Sequence, residues 1–271
     1  MKMLLDEMLQ SLDIVEVSTL FPHEQTIASN VKRLKEAMLN IGQLVDPIVV
    51  DKKSRVVLDG NHRLKVLQVI ECPLSACQFV DYHDERIEVG TWFPVTEKPL
   101  EEIIKRDKIK TERVDCKQGK NALNTLDAPF MAVRNVRDGA NVCDAFFLDP
   151  GKYKIREMIE EQHYILSCLN GIEWEYIPDS LAEEYLSKGY TVLYRRPFTK
   201  EEIIQAAKEH NPFPPKSTRH IIPNRVIRLN MRLGWLHEGK KEALEQLQAM
   251  LSKRAYDGNV RRYSEPVIVI Y

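Results

Sequence analysis

The chain has 271 residues, of which 44% are hydrophobic, and it sets 39 Lys and Arg against 40 Asp and Glu for a formal charge of −1. That size holds two domains of roughly 100–150 residues, the composition excludes disorder, and the near-neutral balance gives no overall positive field toward nucleic acid or anionic lipid. No apolar run reaches the roughly 18 residues that a membrane span needs.

Met1 to Val17 interleave acids with apolar residues and lack a small-residue cleavage site, which predicts a short amphipathic helix and a cytoplasmic protein. A short strand is expected around Ile14 to Val17, then a bend at Phe21-Pro22-His23-Glu24-Gln25. Asn30 is read as the cap of a helix that carries Val31, Leu34, Met38 and Leu39 on one face and stops at Gly42. Pro47–Val50 and Val56–Leu58, parted by a polar turn, predict a β-hairpin. Asp59-Gly60-Asn61-His62-Arg63 then leads into a helix with Leu64, Leu67 and Ile70 on its apolar face, and a strand is expected from Ala76 to Val80. Lys98 to Lys108 reads as helical and Lys117 to Asn121 as a linker, which places domains at 1–115 and 116–271. In the second half the pattern predicts a hairpin of Met131–Val136 and Val142–Leu148 turned at Asp138-Gly139. A helix from about Lys154 to Asn170 and a strand over Ile172–Tyr176 follow, with a capping box of Thr199 and Glu202 beyond them. Alternation at 227–232 and the apolar run Val267–Ile270 predict two further strands. The five cysteines, Cys72, Cys77, Cys116, Cys143 and Cys168, are odd in number and never spaced as CxxC, so free packing thiols are expected, with neither disulfide nor zinc site.

Two segments concentrate groups that handle anions. Asp59–Arg63 joins a glycine, polar side chains and a cation at a helix start, where unpaired N–H groups and the helix dipole favour phosphate. The plainer reading is that Asp59 or Asn61 caps the helix and Arg63 pairs with a surface acid. Lys216-Ser217-Thr218-Arg219-His220 packs two cations, two hydroxyls and an imidazole behind a stiff proline turn; it suits a phosphate or carboxylate, or it is solvated surface. Glu24 is a candidate general base, and Trp92, in Thr91-Trp92-Phe93-Pro94, a candidate pocket wall. His23 and His62 lack metal-site spacing. The chain has no GxxxxGK[ST], no GxGxxG and no protein-kinase catalytic loop, so a phosphoryl transfer must use a less common scaffold.

Leu58-Asp59-Gly60-Asn61-His62-Arg63 resembles the signature of the ParB/sulfiredoxin-like fold, whose members bind nucleotides with such a loop. Pro22–Gln25, Thr91–Pro94 and Pro215–His220, in this order and at these separations, are similar to segments of the free serine kinases; the resemblance spans about residues 14 to 230. It implies an α+β protein with a ParB/sulfiredoxin-like N-terminal domain, an α+β C-terminal domain and an active site in the cleft between them. It further implies Glu24 as catalytic base, and Asp59 as a second essential carboxylate that helps to hold Mg2+. Gly60, Asn61, His62 and Arg63 would lie on the nucleotide phosphates and Trp92 on the amino acid. Lys216 and Ser217 would contact substrate, and Thr218, Arg219 and His220 the transferred phosphoryl group. The expected reaction is phosphorylation of free L-serine with ADP or ATP as the adenine nucleotide donor, and no nucleic acid or membrane partner is expected. Pro-Lys-Ser-Thr-Arg-His followed by Ile-Ile-Pro is closest to the ADP-using members, whereas Tyr263–Val267 leans toward ATP-using, siderophore-linked relatives. Asn61 stands where relatives commonly carry histidine. Sulfiredoxin chemistry would need a cysteine there, and a ParB-type DNA-binding protein would need a helix-turn-helix that residues 98 to 125 do not supply.

Overall fold

A computed structural model describes residues 2–135 and 143–263, with side chains from Asp6 onward. The chain forms two compact units, one of Met1–Pro22, Thr26–Ile87 and Ile222–Tyr271, the other of His23–Gln25 and Glu88–Ile221. The residues about 115 and 116, where the sequence suggested a boundary, lie inside the second unit.

The first unit is built on a mixed five-stranded sheet. Its order is Leu12–Glu16, Leu74–Val80, Ile48–Asp51, Val56–Asp59 and Phe21–Pro22. The predicted hairpin is present and antiparallel, whereas Ile48–Asp51 runs parallel to Leu74–Val80. Val49, Val50, Val56 and Val57 are wholly buried, as β-branched runs covered on both faces should be. The helices Ala28–Ile41 and Asn61–Val69 pack on each other. The first begins ahead of Asn30, at Ile27 without a side-chain cap, and Asn30 instead accepts a hydrogen bond from Arg33 at 2.8 Å. It ends at Gly42 in the left-handed region, φ 69°, as its C-terminal pattern predicted. A helix absent from the sequence reading, Lys240–Tyr256, buries Ala243, Leu247, Leu251 and Ala255 at four-residue spacing and packs against Lys2–Ser11 and the first strand.

The second unit holds an antiparallel six-stranded sheet in the order Glu175–Pro178, Trp92–Thr96, Thr191–Tyr194, Phe130–Asn135, Cys143–Leu148 and Thr111–Arg113. Successive side chains of a strand point to opposite faces, and here each face meets its own core. Phe130 and Ala132 pack with Ile165 of the helix Ile155–Cys168 and with Leu169, its C-cap. Met131 and Val133 pack instead with Leu123, Ala182 and Leu186 from the helices Cys116–Asn124 and Ala182–Ser187. The predicted Thr199–Glu202 capping box opens the helix Lys200–Lys208.

Several expectations are corrected. The helix expected over 98–108 is only Glu101–Ile104, because Leu100 and Ile103 are the residues there that reach a core. The expected linker is the helix Cys116–Asn124, capped by the Asp115 carboxylate on the N–H groups of Lys117 and Gln118. Its Gly119 serves close packing, since a Cβ would stand 2.3 Å from the sulfur of Met131. The strand expected from Ile172 starts at Glu175. That expected at 227–232 shrinks to Met231–Arg232, because Arg228 and Asn230 adopt positive φ and leave extended backbone. The turn at Asp138-Gly139 and the strand at Val267–Ile270 lie outside the described residues. No helix among the described residues is long and apolar enough to cross a membrane.

The cysteines are not all free. The start of the helix Cys116–Asn124 lies beside the start of the strand Cys143–Leu148, which brings Cys116 and Cys143 into a disulfide with Cα atoms 6.6 Å apart. Cys72, Cys77 and Cys168 are free. In the chain-entropy picture a closure of this length stabilises by about 3–4 kcal/mol. Reduction is expected to lower the Tm of the protein by several degrees and to have no such effect on Cys116→Ser. Alkylation of the unreduced, denatured chain should label three thiols, and five labelled thiols would exclude the bond.

Candidate active site

The residues expected at the site fall into two groups. Asp59–Arg63 belongs to the first unit, whereas Glu24, Trp92 and Lys216–His220 belong to the second.

In the first unit, the strand Val56–Asp59 delivers Asp59 and the chain turns at Gly60, whose φ of 101° suits glycine. The helix Asn61–Val69 follows with Gly60, which has no side chain, at its N-cap, and the N–H groups of its first turn have no carbonyl of the helix itself to bond. Arg63 folds back over the turn, its guanidinium 3.2 Å from where a Cβ at position 60 would stand. It donates to Pro47 O at 2.7 Å and to Asp59. A second cation, Arg225, donates to the same Asp59 oxygen. Asp59 is thus a carboxylate shared by two arginines beside a helix start. His62 accepts the Ile27 N–H on Nε2 at 3.1 Å, which ties this loop to the entry of the preceding helix.

In the second unit the organising element is the short strap His23–Gln25. Phe213 N–H donates to His23 O at 2.8 Å, and Gln25 N–H donates to Phe213 O at 2.9 Å. Phe213 is buried and stacks on Phe198 with ring centres 4.0 Å apart. The proline turn then reverses the chain, with Ser217 N–H on Pro214 O and Lys216 at φ 65°. Glu24 consequently faces the backbone of the basic loop. Its Oε1 accepts from Thr218 N–H and Thr218 Oγ1, each at 2.7 Å, and its Oε2 accepts from Lys216 N–H at 3.2 Å. Because the Thr218 hydroxyl donates to Glu24, the His23 Nε2 found 2.7 Å from it is the protonated nitrogen.

Trp92 is half-buried at the start of its strand, with Lys216 Nζ 5.0 Å and the Arg219 guanidinium 5.8 Å from its ring centre. Arg219 and His220 enter a strand that pairs with Glu88–Gly90, Arg219 opposite Gly90. His220 packs edge-on against His23, ring centres 5.1 Å apart. Burial, reinforced by His23 and Lys200, holds the His220 imidazole well below its ordinary range, so the ring is neutral at pH 7. Ser217, expected on the substrate, is fully buried and its hydroxyl accepts from Arg195 at 3.2 Å.

Arg225 and Arg195 were missed by sequence reasoning. Each is a lone cation far in sequence from what it touches, and only its place next to a recognised segment, two residues after Ile222-Pro223 or just beyond a strand, marks it.

No family model matches the chain. An ATP-dependent L-serine kinase of Staphylothermus marinus is 30% identical over 228 residues, which cover 78% of this chain and 85% of that relative. The ADP-dependent L-serine kinase SerK of Thermococcus kodakarensis is 25% identical over 226 residues, covering 81% of this chain and 90% of the relative. The fold is shared with a free serine kinase solved in complex with AMP, at a TM-score of 0.70 and 23% identity over 83% of this chain and 93% of that one. Identity of 30% sustained over most of a serine kinase, on a mixed α+β fold of the same kind, places the chain in the free serine kinase family.

Proposed function

We propose that this protein transfers the terminal phosphoryl group of an adenine nucleotide to the hydroxyl of free L-serine, giving O-phospho-L-serine. The observation that carries the reading is the seating of Glu24, a carboxylate clamped by three donors of the basic loop beside a tryptophan flanked by two cations. A carboxylate oxygen has two acceptor sites. Oε1 uses both on Thr218, whereas Oε2 uses one, on Lys216, so Oε2 is the oxygen that takes the serine proton. Serine Oγ then forms the new bond to phosphorus, the bond from phosphorus to the bridging oxygen of the nucleotide breaks, and the shortened nucleotide leaves with that oxygen's charge.

Phosphoryl transfer asks for alignment and charge neutralisation more than for covalent chemistry. In this reading the positive end of the helix dipole at Gly60–Arg63 receives nucleotide phosphates, with Arg63 and Arg225 adding their charge. Trp92 lines the serine pocket, and Lys216 and Arg219 face its carboxylate or the moving phosphoryl group. Thr218 and neutral His220 complete that surface, while Ser217 anchors the loop from within. The nucleotide-binding part corresponds to the ParB/sulfiredoxin-like portion of the resemblance.

Among the described residues no group of three or more His, Cys, Asp or Glu side chains forms a metal cluster. Asp59 gives its Oδ2 to Arg63 and Arg225, and its Oδ1 would be the oxygen to hold Mg2+, an ion usually bound by one or two carboxylates together with substrate phosphates. Bound there, Mg2+ would supply neutralisation of phosphate charge.

The relatives divide between ATP and ADP, and the product identifies the donor: phosphorus NMR with serine and Mg2+ should show phosphoserine accompanied by AMP from ADP or by ADP from ATP. Phosphoserine from neither would overturn the reading. Glu24→Gln is expected to lower kcat by about 10²–10⁴-fold while nucleotide affinity, measured by calorimetry, stays near that of the parent. Arg225→Ala, in contrast, should weaken nucleotide binding with a smaller change in kcat at saturation.

His220 also sets a pH dependence. Its folded-state affinity for protons is depressed, so below about pH 6.5 the unfolded chain binds a proton that the folded one refuses. Stability is therefore full above that value and declines as pH falls through it; His163, also lowered by burial, acts in the same direction. Nitrogen shifts of the His220 ring should remain those of neutral imidazole at pH 6, and His220→Gln should flatten the loss of Tm between pH 7 and 5.5.

A further inference from the structure

Glu24 is held by a backbone N–H, and something must aim that N–H. The Thr218 N–H belongs to the Ser217–Thr218 peptide, and in a trans peptide the N–H and C=O point in opposite directions. On the far side of this peptide the Thr91 hydroxyl donates to Ser217 O at 2.8 Å. The same hydroxyl accepts from Arg195 Nε at 3.0 Å. Arg195 grips the rest of the loop through its other nitrogens, donating from Nη1 to Ser217 Oγ and from Nη2 to Trp92 O at 2.8 Å and to Lys216 O. Thr91 is wholly buried and Arg195 is 2% exposed.

The chemistry of this arrangement is unusual. A buried guanidinium is costly to desolvate and is ordinarily matched by a carboxylate. Arg195 donates to two hydroxyls and two carbonyls, all neutral. Burial pulls the group down to about 10, which leaves it charged at neutral pH, and its attraction to Glu24 acts at longer range. A plain packing role for this volume would be served by an apolar side chain. The rigid fork of Arg195 instead fixes two consecutive residues of the loop, Lys216 and Ser217, and the start of the Trp92 strand at once.

We propose that Thr91 and Arg195 are positioning residues of the transfer reaction: Arg195 orients the Thr91 hydroxyl, the hydroxyl pins the Ser217 carbonyl, and the opposite edge of that peptide presents the Thr218 N–H to Glu24. The proposal rests on Glu24 being the base of the proposed function, and its test separates the two. Thr91→Val keeps the shape and removes the hydroxyl, whereas Thr91→Ser keeps the hydroxyl.

In amide NMR of the parent protein, Thr218 N–H should be shifted downfield and slow to exchange. In Thr91→Val it should move upfield and exchange faster, and in Thr91→Ser it should stay. This measurement needs no turnover, so it decides the positioning claim even where the parent makes no phosphoserine, a result that would sink the functional reading alone. With turnover, Thr91→Val should lose about 10–100-fold in kcat with the nucleotide KM within twofold, and Thr91→Ser should remain within threefold of the parent. Should Thr91→Val fail to fold, Arg195→Lys, which keeps the charge and loses the fork, is read by the same two measurements and is expected to follow the pattern of Thr91→Val. An unchanged Thr218 amide in the folded variant, a kcat within twofold of the parent, or equal losses in Thr91→Val and Thr91→Ser would overturn the proposal.

Discussion

Two backbone hydrogen bonds between His23–Gln25 and Phe213 are the constraint on which the seating of Glu24 depends. Nearly two hundred residues separate these partners, so their meeting carries a substantial chain-closure entropy that the surrounding packing must offset. Phe213 supplies that packing through its burial and its contact with Phe198, and the prolines around it restrict the unfolded chain. Once the strap is fixed, Glu24 has a defined origin and needs few side-chain torsions to reach the Lys216 and Thr218 amides. A glutamate on a free loop would have to be ordered during each turnover.

Charge is distributed in keeping with this economy. Around Asp59 one acid is shared by two arginines, so a cationic surplus stays beside a helix start that already favours anions. Around Trp92 two cations lie 5.0 and 5.8 Å from the centre of one aromatic ring while the Glu24 carboxylate is held by neutral donors, backbone amides and a hydroxyl. Beneath them Arg195 is buried among neutral acceptors. The overall charge of −1 therefore conceals local positive excess at the Asp59–Arg63 turn and around Trp92.

Much of this was legible where the signal is local. Asp59–Arg63 and Lys216–His220 stand out because each compresses its chemistry into five residues, and the Val-rich hairpin strands and the Thr199–Glu202 box follow from short-range rules. The linker reading of Lys117–Asn121 failed because its glycine and polar residues suggested freedom, while the capping signal of Asp115 two residues upstream and the packing of Gly119 on Met131 override it. Cys116 and Cys143 showed no spacing signal, since their pairing is a product of the tertiary fold. Thr91 and Arg195 are 104 residues apart, and a single threonine and a single arginine have no periodicity that would link them. Arg225 was eclipsed for a related reason, as the alternation just beyond it suggested a strand that the positive φ of Arg228 and Asn230 breaks up.

The chain enters the second unit at Glu88 and leaves it at Ile221, an uninterrupted block, yet that unit also claims three residues from the region before Thr26. Those three include Glu24. Cutting out 88–221 as a cassette, or grafting it into another host, would carry over the sheet, the tryptophan and the cationic loop but leave the carboxylate behind. Modular exchange, the ordinary route by which inserted domains spread between proteins, would thus part the cationic loop from the carboxylate it clamps, so this pair of units is tied together in inheritance more tightly than its domain plan suggests.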